Sequence, residues 1–233
     1  LAGTGVGKSF FMCHVASSVI SQGKNVLYIT LEMAEERIAE RIDANLLDVT
    51  IDDLYEMPKE IYDNKTSKMQ NRTNGQLIIK EYPTASAHAG HFKSLLDELA
   101  LKKAFKPDLI FIDYLNICTS SRFKGGNINS YTMVKSIAEE LRGLAVQYNV
   151  PIVSATQTTR TGYLSSDVGL EDTSESFGLP ATADFMFALI SNDELEELGQ
   201  IKVKQLKNRY NDPAVNRAFI IGVDRSKMRL YDV

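Results

Sequence analysis

Short apolar runs alternate with longer amphipathic stretches along most of this chain, and this alternation predicts an α/β fold. The runs at residues 26–31 (VLYITL) and 109–114 (LIFIDY) are almost continuously apolar, as in strands buried on both faces of a parallel sheet. Two further core strands are predicted at residues 76–81 and 151–156. The amphipathic stretches predict helices at residues 8–21, 34–47, 92–104 and 131–148. This part of the chain is therefore expected to form a mostly parallel sheet flanked by helices.

The pattern changes in the C-terminal part, where short apolar runs are separated by short polar turns. Strands are predicted there at residues 184–190, 201–207, 218–223 and 228–233. Antiparallel strands are thus expected at the C-terminal end of the parallel core. Residues 51–74 are polar and predict short surface helices, and the polar stretch 158–176 is long enough to indicate a functional loop. The chain contains no repeat or linker, so residues 1–233 are expected to form one domain.

The composition excludes some classes of function but does not identify one. A formal net charge of −4 argues against a basic coat for duplex DNA, although a narrow channel around a single strand needs only a few cations. The two cysteines lie far apart in apolar stretches, which predicts reduced core residues of a cytoplasmic protein. No apolar run approaches the ~20 residues of a membrane span, so no membrane partner is expected.

The most specific motif stands at residues 2–9 (AGTGVGKS), a relaxed Walker A pattern that leads directly into a predicted helix. Its three glycines supply the backbone freedom that lets N–H groups turn inward around phosphate oxygens. Lys8 is expected to bind the β- and γ-phosphates of ATP, and Ser9 to ligate Mg²⁺. The predicted nucleotide-binding set is Gly3, Thr4, Gly5, Val6, Gly7, Lys8, Ser9 and Phe10.

Three polar residues at strand ends complete the candidate site. Asp113 ends the strand LIFID and suits a Walker B acid that holds Mg²⁺, although an acid at this place can also be a simple cap. Glu32 follows the strand VLYITL and suits the activation of an attacking water. Gln157 suits a sensor of the γ-phosphate, and an ordinary loop amide is an equally good interpretation of the residue alone.

Lys207 and Arg209 stand at the end of another predicted strand. Residues two apart in an extended chain point the same way, so these side chains form one cationic pair. Such a pair is usually a solvated edge. It gains interest here because ATPases often take an arginine finger from an adjacent subunit.

Taken together, these residues resemble the RecA-like motor domain of hexameric replicative DNA helicases of the DnaB type, in particular versions encoded by tailed bacteriophages. The resemblance runs along nearly the whole chain, and the ordered set of motifs is far more specific than the Walker A loop alone. The most specific segments are residues 31–49 (LEMAEERIAERIDANLLDV), 112–118 (IDYLNIC), 154–157 (SATQ), 175–185 (ESFGLPATADF) and 207–213 (KNRYNDP). The resemblance implies a P-loop NTPase core that works as a homo-hexamer. Single-stranded DNA would thread the centre, and ATP with Mg²⁺ would sit between subunits.

The same resemblance assigns roles to single residues. Glu32 matches the catalytic glutamate, Asp113 the Walker B acid and Gln157 the γ-phosphate sensor. Lys207 and Arg209 match paired cations that reach the ATP site of the neighbouring protomer, with Arg209 as the finger. A primase and a helicase loader are the further partners that the family implies.

Two loops are expected to line the DNA channel, at residues 120–129 and 160–178. Their candidate contacts are Arg122, Lys124 and Arg160 through side chains, and Glu175, Ser176 and Gly178 through backbone N–H groups. Many relatives carry an arginine just before the Glu-Ser pair, where this chain has Ser174. The alternative for each basic residue is a solvated surface position.

Two other functions remain open from the sequence. A strand-exchange recombinase, or a related filament-forming ATPase, shares the Walker A loop, the catalytic glutamate and the glutamine sensor. The sequence IDYL after the Walker B acid and the pattern EM-xx-E after the catalytic strand favour the helicase group. A non-enzymatic nucleotide-binding module is the third interpretation, and the joint presence of all the polar site residues argues against it.

A Walker A loop normally follows a buried strand, and the family also carries an N-terminal domain and a linker. We therefore expect residues 1–233 to be a fragment, the ATPase domain of a longer protein. Unpaired backbone edges are expected where the feeding strand would lie.

Overall fold

The computed structural model describes residues 1–123, 128–159, 168–173, 178–212 and 214–233. Its helices are α1 Lys8–Ser21, α2 Glu35–Leu47, α3 Ile51–Glu56, α4 Lys59–Gln70, α5 Ala89–Lys103, α6 Ser130–Tyr148, α7 Gly178–Thr182 and α8 Asp193–Glu197. Its strands are β1 Val26–Thr30, β2 Leu77–Glu81, β3 Leu109–Asp113, β4 Ile152–Ser154, β5 Phe185–Ile190, β6 Gln200–Asn208, β7 Ala218–Asp224 and β8 Arg229–Asp232. These elements confirm the predicted α/β class.

The first four strands form a parallel sheet in the order β2-β1-β3-β4. Every residue of β1 is buried, because helices cover both faces of the sheet. Leu27 and Ile29 join a core cluster with residues of α5 and α6, whereas Val26 and Tyr28 join a second cluster with residues of α1 and α2. The continuous apolar run therefore serves two cores, one on each face.

The last four strands form the predicted antiparallel sheet, in the order β5-β6-β7-β8. A third core cluster joins this sheet to the start of the chain, with Ile201 and Val203 packed against Ala2 and Val6. The C-terminal sheet therefore supports the segment that carries the Walker A pattern.

Leu1 and Ala2 join the two sheets. Ala2 pairs in parallel with Gln157 on one side and with Leu189 on the other. The N–H of Ala2 donates to the carbonyl of Thr156 (3.2 Å), and the N–H of Leu189 donates to the carbonyl of Leu1 (2.9 Å). Because one residue bridges both neighbours, β4 and β5 lie about two strand spacings apart, roughly 10 Å.

On the side of Ala2 that faces away from residues 3–7, an apolar cavity of about 540 Å³ separates β4 from β5. Its walls include Met12, Leu141, Ile152, Ala155, Met186 and Phe187. In the described part of the chain, neither strand has a ladder partner on its cavity side.

The structure departs from the predicted elements in a few places. Helix α5 begins at Ala89 rather than residue 92, because His88 caps it: its Nδ1 accepts from the N–H of Gly90 (3.0 Å). Strand β4 is limited to Ile152–Ser154, and α7 and α8 were not predicted.

Cys13 and Cys118 are buried free thiols, which confirms that both are core residues. Burial raises the pKa of each to about 12, so neither is a reactive thiolate at neutral pH. Among the helices of the described ranges, none has the length and apolarity required to cross a bilayer.

Candidate functional site

The candidate phosphate loop, residues 3–7 between Ala2 and α1, depends on glycine at two positions; we call it the phosphate loop. Gly5 and Gly7 have φ values of 81° and 115°, in the left-handed region that side chains disfavour. A Cβ on Gly5 would meet no atom within 4 Å, so the backbone conformation rather than space requires glycine. Gly3 lies outside this region of φ. Its carbonyl instead accepts a hydrogen bond from Lys8 Nζ (3.1 Å).

The loop presents its backbone rather than its apolar side chains. Val6 and Phe10 are buried, so their side chains anchor the loop and only their N–H groups could face a phosphate. Thr4 and Gly5 are exposed. Helix α1 has no acidic residue in its first turn and no side-chain cap at its start. Its first N–H groups and positive dipole end therefore suit an anion.

Asp113 lies at the end of β3, beside this loop, and is 1% exposed. Its Oδ2 accepts a hydrogen bond from the hydroxyl of Tyr28 (3.0 Å), and its Oδ1 is buried without a hydrogen-bond partner among the described residues. Burial raises the pKa of Asp113, against the opposing effects of the Ser9 and Tyr28 hydroxyls and of the Arg41 and Lys8 charges. The unpartnered Oδ1 of Asp113 is therefore available to bind a cation.

The residues present fit a nucleotide-bound Mg²⁺. Ser9 and Asp113 offer hard oxygen ligands next to the phosphate loop, and Mg²⁺ is usually held by one or two protein oxygens together with phosphates and water. Within the described ranges, no group of three His, Cys, Asp or Glu side chains could hold a metal ion alone.

Glu32 reaches the same place from the neighbouring strand. Thr30 of β1 pairs with Asp113 of β3, and the N–H of Leu31 donates to the carbonyl of Asp113 (2.9 Å). Glu32 follows directly and is exposed. Burial lowers the pKa of Lys8, and the charges of Glu32 and Asp113 oppose this effect. The fold thus gathers two acids and one lysine at the mouth of the loop.

Gln157 completes this group. It follows β4 and pairs with Ala2, at the residue where the phosphate loop begins. Its Nε2 donates to the hydroxyl of Tyr114 (3.3 Å), the residue that follows Asp113. The backbone of Gln157 therefore lies beside the start of the loop, and its side-chain amide reaches the residue after β3.

Lys207 and Arg209 lie at the opposite end of strand β5 from the phosphate loop. Asn208 pairs with Phe185 at the start of β5, whereas Ala2 pairs with Leu189 near its end. Four residues of strand separate these levels, a distance of about 13 Å at 3.3 Å per residue. We call the Phe185 side the lower end of the antiparallel sheet. The structure does not bring the two cations to the chain's own phosphate loop.

The candidate DNA contacts are only partly described. Lys124, Arg160, Glu175 and Ser176 lie outside the described residues. Arg122 lies near the start of the first predicted DNA-binding loop, residues 120–129. It forms an ion pair with Glu139 of α6 (2.5 Å). Gly178 begins α7 and is buried, and a Cβ at this position would meet the side chain of Lys135.

The sequence did not indicate two polar partners of the candidate residues. The hydroxyl of Tyr28 donates to the carboxylate of Asp113, and the carboxylate of Asp184 contacts Arg209 at the lower end of the sheet. The signal for Tyr28 was available, since a tyrosine inside a buried aliphatic strand needs a hydrogen-bond partner. The residues around Asp184 in the sequence do not indicate its contact with Arg209.

Comparisons with known proteins agree with this geometry. The family model described as the DnaB-like helicase C terminal domain matches residues 1–222. The chain is 46% identical to the DnaB-like replicative helicase of Enterobacteria phage T4, over 100% of this chain and 50% of that protein. It is 28% identical to a probable plasmid replicative DNA helicase of Chlamydia psittaci, over 66% of this chain and 33% of that protein. The chain thus spans half or less of the length of these relatives.

Two solved structures resemble the whole chain. One is a separately solved ATPase domain, which superposes with a TM-score of 0.80 at 16% identity, over 100% of this chain and 82% of that one. The other is a DnaB-like replicative helicase studied in its interactions with primase. It superposes with a TM-score of 0.79 at 17% identity, over 100% of this chain and 56% of that one. These likenesses confirm the fold class, a RecA-like parallel core with an added antiparallel sheet.

Proposed function

Because this chain belongs to the DnaB-like helicase C-terminal domain family, we propose that it is the ATP-hydrolysing motor of a replicative DNA helicase. The observation that supports this most directly is the separation of the site into two halves. Lys8, Glu32 and Asp113 meet at one phosphate loop, whereas the Lys207–Arg209 pair lies at the other end of the antiparallel sheet. A complete site would then form between two copies of the chain.

Within one subunit, the loop would hold ATP by its backbone N–H groups. Lys8 would leave the carbonyl of Gly3 and bind the β- and γ-phosphate oxygens. Ser9 and Asp113 would hold the nucleotide's Mg²⁺, which supplies charge neutralisation at the transferred phosphate. Glu32 would accept a proton from the attacking water, and Gln157 would donate its amide to the γ-phosphate.

The neighbouring subunit would supply Arg209 as the finger, with Lys207 beside it. This arrangement is repeated around a ring of six copies, and single-stranded DNA passes through the centre. Arg122, Lys124 and Arg160 would contact DNA phosphates, together with backbone groups at Glu175, Ser176 and Gly178. Arg122 would first exchange its ion pair with Glu139 for a phosphate.

The proposed helicase also has expected protein partners and an expected cellular location. A primase and a helicase loader are the expected partners, and the cytoplasm of a bacterium or of a phage-infected host is the expected location. The comparisons favour a helicase over the strand-exchange recombinase that the sequence left open.

The test measures ATP hydrolysis and strand displacement by the full-length protein, with and without single-stranded DNA. Hydrolysis should rise on addition of DNA, and Lys8→Ala should abolish both activities. The variant should bind ATP about 10- to 100-fold more weakly, since a charge-assisted hydrogen bond contributes roughly 1.5–3 kcal/mol. Lys24→Ala is the matched control, because Lys24 is exposed beyond the far end of α1. Unaltered hydrolysis by Lys8→Ala would contradict the proposed site.

A further inference from the structure

One carboxylate, Asp184, lies among three basic side chains at the lower end of the antiparallel sheet. Its Oδ1 accepts hydrogen bonds from Arg209 Nη1 (2.5 Å) and from Arg142 Nη2 (2.9 Å). Lys207 lies beside them, with its Nζ on the carbonyls of Pro180 (2.5 Å) and Ala181 (3.3 Å). Burial and the charges of Arg209 and Arg142 lower the pKa of Lys207, against the effect of Asp184. We call these four charged residues the Asp184 cluster.

Arg209 is held at three points by a short segment that ends at Asp184. Its backbone N–H donates to the carbonyl of Asp184 (2.9 Å), and its Nη2 donates to the carbonyl of Ala181 (3.1 Å). The bond from Nη1 to the Asp184 carboxylate is the third. A guanidinium has five N–H donors, so the two side-chain bonds leave donors for a phosphate. A long side chain that is already oriented loses less conformational freedom when it binds.

The ion pair between Arg209 and Asp184 is weak enough that Asp184 can orient the guanidinium and still let it bind a phosphate. The side chains of Arg209 and Asp184 are 37% and 36% exposed, and ion pairs in such positions are weak. Arg142 shares the same carboxylate oxygen, which divides its attraction further. Three cations around one carboxylate leave the cluster with two positive charges in excess. An incoming triphosphate is therefore attracted to it.

We propose that Asp184 is a positioning residue, which holds the guanidinium of Arg209 in the orientation that reaches the ATP of the neighbouring subunit. This inference rests on the proposed function of Arg209 as a finger. Asp184 itself contacts neither nucleotide nor water in this role and acts only through Arg209. Arg142 holds the carboxylate from the side of α6 and so fixes its direction.

The test is Asp184→Asn in the full-length protein, which keeps the shape of the side chain and removes its charge. We expect kcat for DNA-stimulated ATP hydrolysis to fall about 10- to 100-fold, as misplaced catalytic groups do. The KM for ATP should change little, because a finger acts mainly on the transition state. Asp48→Asn is the matched control, since Asp48 also bridges two cations, Lys227 (3.1 Å) and Arg229 (2.7 Å), far from Arg209. Its kcat should equal that of the unmodified protein.

A double variant separates positioning from general damage. In an Arg209→Ala background, Asp184→Asn should cause no further loss, because both changes remove the same contribution. An unchanged or raised kcat in the single Asp184→Asn variant would overturn the positioning role, as would an equal loss in both backgrounds. Normal hydrolysis by Arg209→Ala would instead reject the finger, and the role of Asp184 with it.

A charge-conserving variant covers the case in which Asp184→Asn folds poorly. Asp184→Glu retains the carboxylate and should keep more of kcat than Asp184→Asn does. Equal losses of kcat in the two variants, accompanied by an equal fall in Tm, would show a purely structural residue.

Discussion

Rings assembled from Arg209→Ala subunits should hydrolyse ATP about 10³-fold more slowly or worse, because an arginine finger contributes roughly 10³- to 10⁵-fold to kcat in related ATPases and GTPases. The affinity of a single subunit for ATP should stay unchanged. Arg209 lies at the lower end of the antiparallel sheet, away from the phosphate loop of its own chain. Hydrolysis assays with single-stranded DNA, alongside ATP-binding measurements, check both halves of this expectation. Arg225→Ala is the control, since Arg225 is exposed in the turn after β7.

Mixing subunits gives the sharper form of this prediction. An Arg209→Ala subunit keeps an intact phosphate loop, and a Glu32→Gln subunit keeps an intact finger. In a head-to-tail ring with random assembly, about one quarter of the interfaces would combine the two intact halves. The mixture should therefore recover activity that neither variant has alone. A mixture as inactive as its components would contradict a site shared between subunits.

Strong local signals in the sequence predicted which polar residues the fold would bring together. Strand β3 ends at Asp113 and Glu32 stands two residues after β1, and the parallel pairing of β1 with β3 brings these two chain positions together. The i, i+2 spacing of Lys207 and Arg209 also predicted a shared direction correctly, because both side chains donate to the carbonyl of Ala181. Periodicity and strand ends thus carried most of the correct inferences.

The missed features depend on contacts between distant segments or on unusual chemistry. Nothing near Asp184 in the sequence indicates that it meets Arg142 and Arg209, since three separate elements must first assemble. Helix α5 starts early because a histidine serves as its cap, and histidine is not among the usual capping residues. Helix α8 follows an ordinary cap, in which Asn192 accepts from the N–H of Leu195 (2.8 Å), but its five residues are too short for periodicity.

Glu32→Gln should strongly slow ATP hydrolysis while preserving the binding of ATP. Loss of a general base lowers kcat by about 10²- to 10⁴-fold, and glutamine keeps the size of the side chain without its proton affinity. The charge of Glu32 acts on Lys8, which is expected to hold the phosphates. Its removal lowers the repulsion between the site and an anionic nucleotide, so ATP should bind as tightly as before or more tightly. Single-turnover hydrolysis and equilibrium binding measure the two effects separately.

The neighbouring acid Glu36 provides the comparison that isolates Glu32. Glu36 is exposed in the first turn of α2, four residues further along the chain. Glu36→Gln removes the same charge from the same surface and should hydrolyse ATP normally. If the two variants lose activity equally, the loss reflects the general field of the acidic segment and not a base at position 32. If only Glu32→Gln fails and its bound ATP remains intact, the proton acceptor is this one carboxylate, at the mouth of the loop that Lys8 and Asp113 share.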